Sequence, residues 1–299
     1  MPRVSAIVPA TNAPPTLSVC LDAIRAAEEP PDELIVVEKG GGPADARNRG
    51  AGQASGDLLV FVDADVVVHP DAFARIRRPF DADPGLAALF GSYDDTPADP
   101  GTVSTFRNLL HHPVHQQGAG AATTFWAGLG AVRRDVFEAV GGFDAQRYPR
   151  PSVEDIDLGV RLTAAGHRIE LDPTIQGTHL KAWTLRTMLE SDFRDRGIPW
   201  VELLLRHGTG SAALNLGWRH RLSALASVAA AVSLVRGRPR GLFWWVAALV
   251  ALNASFYGLL ARRRGRGEAA AGVGLHVLHH LAGAASVPAG VAKHLRWRS

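Results

Sequence analysis

The chain has 299 residues, 20% of them charged, which is enough length and ordinary enough a balance for one or two domains with a real core. Its single cysteine, Cys20, excludes an internal disulfide and argues against a cysteine-built zinc site. The formal net charge of +3 hides a split: from Arg206 onward there are 13 Lys and Arg against one acid, Glu268, so that segment carries +12 and the part before it −9.

"MPRVSAIVPATN" has too short an apolar core for a signal peptide, so the N-terminal part is expected to stay in the cytoplasm. Within it "RVSAIVPA" reads as a short buried strand stopped by Pro9. "PTLSVCLDAIRAAEE" follows with Leu17, Cys20, Leu21 and Ile24 at helical spacing, and Pro30–Pro31 ends it. "DELIVVEKGGG" is a second strand, and "PADARNRGAGQAS" a small-residue helix closed at Gly56. "DLLVFVDADVVVHP" is a third strand, followed by a helix from Asp71. This alternation predicts an α/β domain with a mostly parallel sheet. Residues 91–125 read as irregular, with His111, His112 and His115 as surface loop residues. A helix is expected across Arg134–Val140 with a Gly-Gly stop, another after the acidic run at 154–157 ending at Gly166, and a short strand after it. "LRTMLESDFRDRGIPWVELLL" is amphipathic and helical.

The character then changes. Gly241–Ala261 is an uncharged run of about twenty residues, long enough to cross a bilayer as a helix. Trp244, Trp245 and Tyr257 lie toward its ends and Arg262–Arg263–Arg264 follows at once. Two weaker apolar stretches, Leu222–Val235 and Ala269–Ala292, flank it. Arginines at the ends of apolar runs are a membrane pattern rather than a nucleic-acid-reading one, so a membrane and no nucleic acid is expected as partner. Helices packed on the preceding domain would give the same composition.

In open α/β sheets, ligands bind beyond the carboxyl ends of the strands. Pro9–Ala10–Thr11, Glu38–Lys39 and Asp63–Ala64–Asp65 would all lie on that rim. Two acids at i, i+2 stand roughly 7 Å apart within a strand, but a turn past its end brings them together. They are then either solvated turn acids or ligands for a hard cation shared with substrate phosphates. Glu154–Asp155–Ile156–Asp157 sits at a helix start, where acids cap favourably and where a carboxylate is also well held as a general base. His179, in "GTHLKAW", is either structural or a further metal ligand. Trp126 is placed either to stack on an acceptor sugar or to pack.

Taken together, "VSAIVPATN", "GGGPADARNRGAGQASGDLLVFVDADVVVHPDAF" and "RRDVFEAVGGFD" followed by "EDIDLGVRLTAAGHRI" resemble a family 2 glycosyltransferase of the GT-A fold over about residues 3–205. The resemblance implies a Rossmann-like nucleotide-sugar-binding domain over residues 1–215, followed by a membrane-associated helical region of two or three apolar segments over 216–299. It implies an inverting transfer from a nucleotide-diphosphate sugar to a hydroxyl of a glycan or lipid-linked acceptor, with Mn²⁺ or Mg²⁺, at the cytoplasmic face of the membrane. On this resemblance Asp65 binds the metal, Asp63 the ribose or the metal, and His179 completes the metal site. Asp155 is the base, and Pro9, Ala10, Thr11, Glu38 and Arg47 line the nucleotide rim. Glu154, Trp126, and Arg196 and Trp200 of "RGIPW" contact the acceptor or the diphosphate. The chain departs from the pattern at Ala13 and at Glu38–Lys39, where the family usually carries acids that read base and ribose. A polyprenyl phosphate is the alternative acceptor. A haloacid-dehalogenase-type phosphatase also uses an apolar run ending in DxD, but at the first strand of its domain rather than the third. A non-catalytic scaffold is the other rival.

Overall fold

The computed structural model describes residues 1–207 and 217–296. Within them the chain divides into two compact units, Met1–Ala98 with Val114–Lys181, and Asp99–Pro113 with Ala182–Ser299. The domain boundary expected at 215/216 lies outside the described residues.

The first unit is built on one sheet. Its elements are β1 (Val4–Pro9), α1 (Leu17–Arg25), β2 (Glu33–Val37), α2 (Pro43–Gln53), β3 (Leu58–Val62), β4 (Val66–Val68), α3 (Ala72–Ala82) and β5 (Leu86–Tyr93). After α4 (Thr102–Gln117), which runs from the second unit into the first, come β6 (Gly120–Ala122), β7 (Leu129–Arg133), α5 (Arg134–Ala139), α6 (Glu154–Ala164) and β8 (Arg168–His179). Among the described residues the strand order is β2-β1-β3-β7-β5-β8-β4, with β6 on β8. The helix-linked strands β1, β2 and β3 are parallel, as a crossover helix requires. Beyond them the expectation of a mostly parallel sheet is corrected: the sheet is mixed. β7 enters between β3 and β5 antiparallel to both, and β4 pairs antiparallel with β8. The reason is local. β4 follows β3 through a tight turn with no crossover helix, and the run "LGAVR" holds a single β-branched residue, Val132, among small ones, too few to mark a strand.

Both faces of the central strands are covered, which is why they read as continuous apolar runs. On one face Val4, Ala6 and Val8 join Cys20 and Ile24 of α1 and Phe73, Ile76 and Phe80 of α3 in a common core. On the other, Ile7 meets α2 at Gly50, and Phe61 packs edge-on against Phe143, ring centroids 5.1 Å apart.

Three local expectations change. α2 ends at Gln53, before Gly56. The segment 91–125 is largely ordered, holding the end of β5, α4 and β6. His115 is accordingly buried in α4 rather than on a surface loop, tilted against Trp126 at 5.4 Å.

The second unit is helical: α7 (Leu185–Glu190), a π-helical segment Ser191–Gly197, α8 (Ile198–His207), α9 (Trp218–Val235), α10 (Pro239–Leu252), α11 (Ala254–Arg264) and α12 (Arg266–Arg296). Its core holds Phe106, Leu109, Trp183, Met188, Phe256, Tyr257, Leu259, Leu260 and Leu275. The run Gly241–Ala261 is not one helix. It breaks between α10 and α11 with an 80° bend, and among the described residues no single helix is long and apolar enough to cross a membrane. At the break the buried side-chain amide of Asn253 donates to Ser223 Oγ and to the Leu249 carbonyl, both at 2.9 Å. An asparagine bonded this way competes with the helix ladder.

Candidate active site

The carboxyl ends of β1, β2 and β3 share one edge of the sheet, fixed by the registers Pro9↔Val37 and Ile7↔Phe61. Ala10 is tied there by its N–H to the Val37 carbonyl at 2.9 Å, and the chain then turns through Ala13 at φ 44°. Pro9 and Thr11 are half-buried at this rim, and Glu38 is exposed on it.

Asp63–Ala64–Asp65 forms the turn between β3 and β4. The Val66 N–H donates to the Asp63 carbonyl at 3.0 Å, and the Asp63 N–H to the Gly128 carbonyl at 3.1 Å. The antiparallel register Val66↔His179 then sets the end of β8 beside the turn, where the Leu180 N–H donates to the Asp65 carbonyl at 2.8 Å. As a result His179 Nε2 lies 3.5 Å from Asp65 Oδ2. Burial raises the Asp65 carboxyl, but the bond and charge of His179 outweigh it and hold it below the usual carboxylate range. Tyr93 stacks flat on the imidazole, centroids 4.2 Å apart and planes 15° apart, and Trp126 abuts Tyr93 edge-on at 4.7 Å.

Arg47 was expected on the nucleotide rim. It is instead buried, with 4% of its surface exposed, and joins the two acidic motifs. One guanidinium nitrogen lies 2.7 Å from Asp63 and the other 2.8 Å from Glu154. Gly42, before α2, makes this placement possible: its φ is +126°, and a Cβ there would stand 2.3 Å from the Pro149 carbonyl oxygen. Glu154 is equally buried. Its second oxygen accepts from the Ser152 N–H at 2.8 Å, so both oxygens are taken up inside the protein rather than offered to an acceptor.

Asp155 is half-buried at the first turn of α6. Its Oδ1 accepts from the Ile156 N–H at 2.8 Å and its Oδ2 from the Ala127 N–H at 3.2 Å. Burial, and then the Glu154 charge, push its carboxyl up to about 7. α6 comes close to the Thr124–Ala127 segment because residue 159 is glycine; a Cβ there would lie 2.2 Å from the Phe125 nitrogen.

The turn thus collects Asp63, Asp65, His179 and Arg47, and Arg47 links it to Glu154 beside Asp155. Arg196 and Trp200 belong to the second unit, where Arg196 bonds His111 at 2.9 Å and Trp200 is half-buried. Sequence reasoning missed Tyr93, and Asp94, which bonds His69 Nε2 at 3.0 Å and the Thr178 hydroxyl. The acid pair Asp94–Asp95 closing an apolar run was the available signal.

Among the described residues, no group of three or more His, Cys, Asp or Glu is arranged to hold a metal ion. The Asp65–His179 pair nevertheless suits a two-donor site: ligands at about 2.1 Å from an octahedral ion stand about 3 Å apart when cis. The remaining positions would fall to substrate phosphates and water, the usual arrangement for hard cations at phosphate.

The model of the family "Glycosyl transferase family 2" matches residues 38–141. The chain is 31% identical over 140 residues to the O-antigen biosynthesis protein RfbC of Myxococcus xanthus, covering 41% of this chain and 11% of that protein. It is 28% identical over 145 residues to the poly-beta-1,6-N-acetyl-D-glucosamine synthase of Staphylococcus aureus, covering 47% of this chain and 34% of that protein. The match thus spans only a minor part of either relative. A solved mannosyltransferase, PcManGT from Pyrobaculum calidifontis in complex with GDP-Man and Mn²⁺, superposes with a TM-score of 0.54 at 19% identity, covering 94% of this chain and 87% of that one. Residues 38–141 are thus similar to a family 2 glycosyltransferase domain, and the superposition shows that the chain shares its overall fold with that mannosyltransferase.

Proposed function

We propose that the protein moves a hexose from a nucleotide-diphosphate donor to a hydroxyl of a glycan or lipid-linked acceptor, with inversion, at the cytoplasmic face of the cytoplasmic membrane. The observation that carries this reading is Arg47. By bonding Asp63 and Glu154 at once, it holds the donor-side turn and the base-bearing helix in one frame. Proximity of this kind is what a displacement reaction needs.

The rim at Pro9, Ala10, Thr11 and Glu38 takes the nucleotide, and Asp63, oriented by Arg47, faces the ribose. Asp65 and His179 hold Mn²⁺ or Mg²⁺, which when bound neutralises charge on the departing diphosphate. Asp155 accepts the proton of the acceptor hydroxyl as its oxygen attacks the anomeric carbon. A carboxyl poised near 7 is suited to that exchange at neutral pH. Attack comes from the face opposite the diphosphate, as inversion requires.

The test is a thermal-shift screen of UDP- and GDP-sugars with and without Mn²⁺, followed by product analysis. A donor that binds the native state raises its melting point. Stabilisation by one nucleotide sugar, dependent on the ion and lost in Asp65→Ala, is expected. No stabilisation by any donor would sink the reading and leave a scaffold.

A polyprenyl phosphate acceptor is the second reading, favoured by the apolar outer surface of α9 and α10. Its attacking oxygen is already anionic, so Asp155→Asn would then retain most of the transfer.

A further inference from the structure

Two helices of the second unit, α9 and α10, are arranged inside out. On α9 the inward residues are Ser223, Ala226, Ser227, Ala230 and Ser233. The exposed ones, at i, i+4, i+7 and i+14 spacing, are Trp218, Leu222, Leu225 and Val232, continuing to Val235 at 87% exposure. In water a helix turns its apolar stripe to the core and its polar stripe out. Here the serines are bonded internally: Ser227 Oγ donates to the Ser223 carbonyl at 2.8 Å, and Ser223 Oγ accepts from Asn253. α10 approaches α9 closely at Gly241, where a Cβ would stand 2.9 Å from Ser233 Oγ. Outward it presents Phe243, Trp244 and Trp245, the first two more than 60% exposed. Small residues at the helix contact, bonded polar groups within and large apolar ones outside are how helices pack in hydrocarbon.

The reach of this surface is limited. The apolar arms Leu222–Val235 and Gly241–Leu252 are about 21 and 18 Å long at 1.5 Å per residue, short of the ~30 Å hydrocarbon core. α11 cannot lengthen the second arm. Phe256, Tyr257, Leu259 and Leu260 are buried in the unit's own core, and Arg264 bonds the Pro100 carbonyl. Arginines stand at both ends of the hairpin: Arg219 and Arg221 at its base, Arg236, Arg238 and Arg240 at its tip. Side chains of this kind lay their stems along apolar surface and keep the charge in the headgroups.

We propose that the α9–α10 hairpin docks in the plane of an anionic bilayer, entering one leaflet by its Leu/Val/Phe/Trp face and returning without crossing. This extends the membrane part of the proposed function and rests on it, but is independent of the transfer chemistry.

The full-length chain is tested in two steps. Flotation is measured with vesicles of phosphatidylglycerol and phosphatidylcholine, and with phosphatidylcholine alone. Binding to the anionic vesicles is expected. It should fall by more than about tenfold in the triple variant Arg236→Glu, Arg238→Glu, Arg240→Glu, since each basic residue near an anionic surface contributes about a factor of five. Circular dichroism of that variant confirms that its helices are intact. Then, in a Cys20→Ala background, Arg238→Cys or Gly267→Cys is introduced and a membrane-impermeant maleimide is added outside the protein-bound vesicles. Equal labelling of both positions is expected. Labelling of 267 with protection of 238 would mean that the hairpin crosses, overturning this proposal while keeping the membrane reading. Absence of wild-type flotation on either vesicle would overturn both. Unchanged flotation of the triple variant would overturn the docking through the arginine tip.

Discussion

At Asp155 stability and function pull in opposite directions. Burial, and then Glu154, raise its folded-state value to about 7, above the value of an unfolded aspartate. A raised carboxyl contributes stability that is fully present below the unfolded value and is lost as pH rises through the folded one. Asp155→Asn removes this dependence. Urea titrations should therefore show the variant gaining on the wild type between about pH 4 and 7, with the gap constant above that. The same substitution should leave donor binding intact and lower hydroxyl transfer by about 10²–10⁴-fold. With Asp155 as the proposed base, wild-type transfer should rise with pH through about 7, where its carboxyl ionises. A flat rate profile with normal transfer by the variant would remove Asp155 as the base. Arg47 is the complementary case. Arg47→Met leaves Asp63 and Glu154 facing each other without a cation inside the protein, and breaking such a buried pair costs about 3–5 kcal/mol. Chemical denaturation should show a loss of that size, whereas a loss under about 1 kcal/mol, the range of surface pairs, would mean that the triad is open to water.

The helix that carries Asp155 depends on a residue with no side chain. A Cβ at Gly159 would fall 2.2 Å from the Phe125 nitrogen and 2.4 Å from the Thr124 carbonyl carbon, both rigid backbone atoms. Gly159→Val should therefore push α6 outward and stretch the Ala127 N–H bond to Asp155. A stability loss of at least about 1–3 kcal/mol is expected, with transfer reduced more than donor binding. Equal loss of both would point to general unfolding instead. This element was legible in the sequence because three signals coincide: acids in its first turn, apolar residues at helical spacing, and Gly166 at its end. The turn at Asp63–Asp65 was legible for a similar reason, as two charges interrupting an apolar run. α4 was not, because Pro113 and three histidines mask its periodicity. β7 was hidden too, its Gly130 and Ala131 serving close packing rather than strand preference. The stacking of Tyr93 on His179 could not be read locally, since it depends on β5 and β8 pairing across a long sequence gap.

At the scale of the whole chain, local sequence patterns reveal the first three strands because short connections make neighbours in sequence neighbours in space. The rest of the sheet and the division into units are set by long-range returns of the chain. One return has a direct consequence. The chain leaves the first unit at Ala98, re-enters it at Val114, and leaves again at Lys181. The excursion 99–113 contributes Phe106 and Leu109, each at most 1% exposed, to a core otherwise formed by Trp183 and residues after it. It also carries Arg107, whose guanidinium pairs with Asp192 at 2.7 Å. A fragment ending at Lys181 contains every residue of the first unit, yet strips the partners from this excursion. Uncovering two large apolar side chains forfeits about 1.5–3 kcal/mol each and leaves a sticky surface. The fragment 1–181 is thus expected to aggregate and to be cut first between residues 99 and 113 by a dilute protease. The same fragment with Phe106→Ser and Leu109→Ser should remain in solution longer, because the apolar surface responsible is gone. If the unmodified fragment is monomeric and resists cleavage in that stretch, the excursion is held by the first unit itself, and the division of the chain into these two units does not describe how it is stabilised.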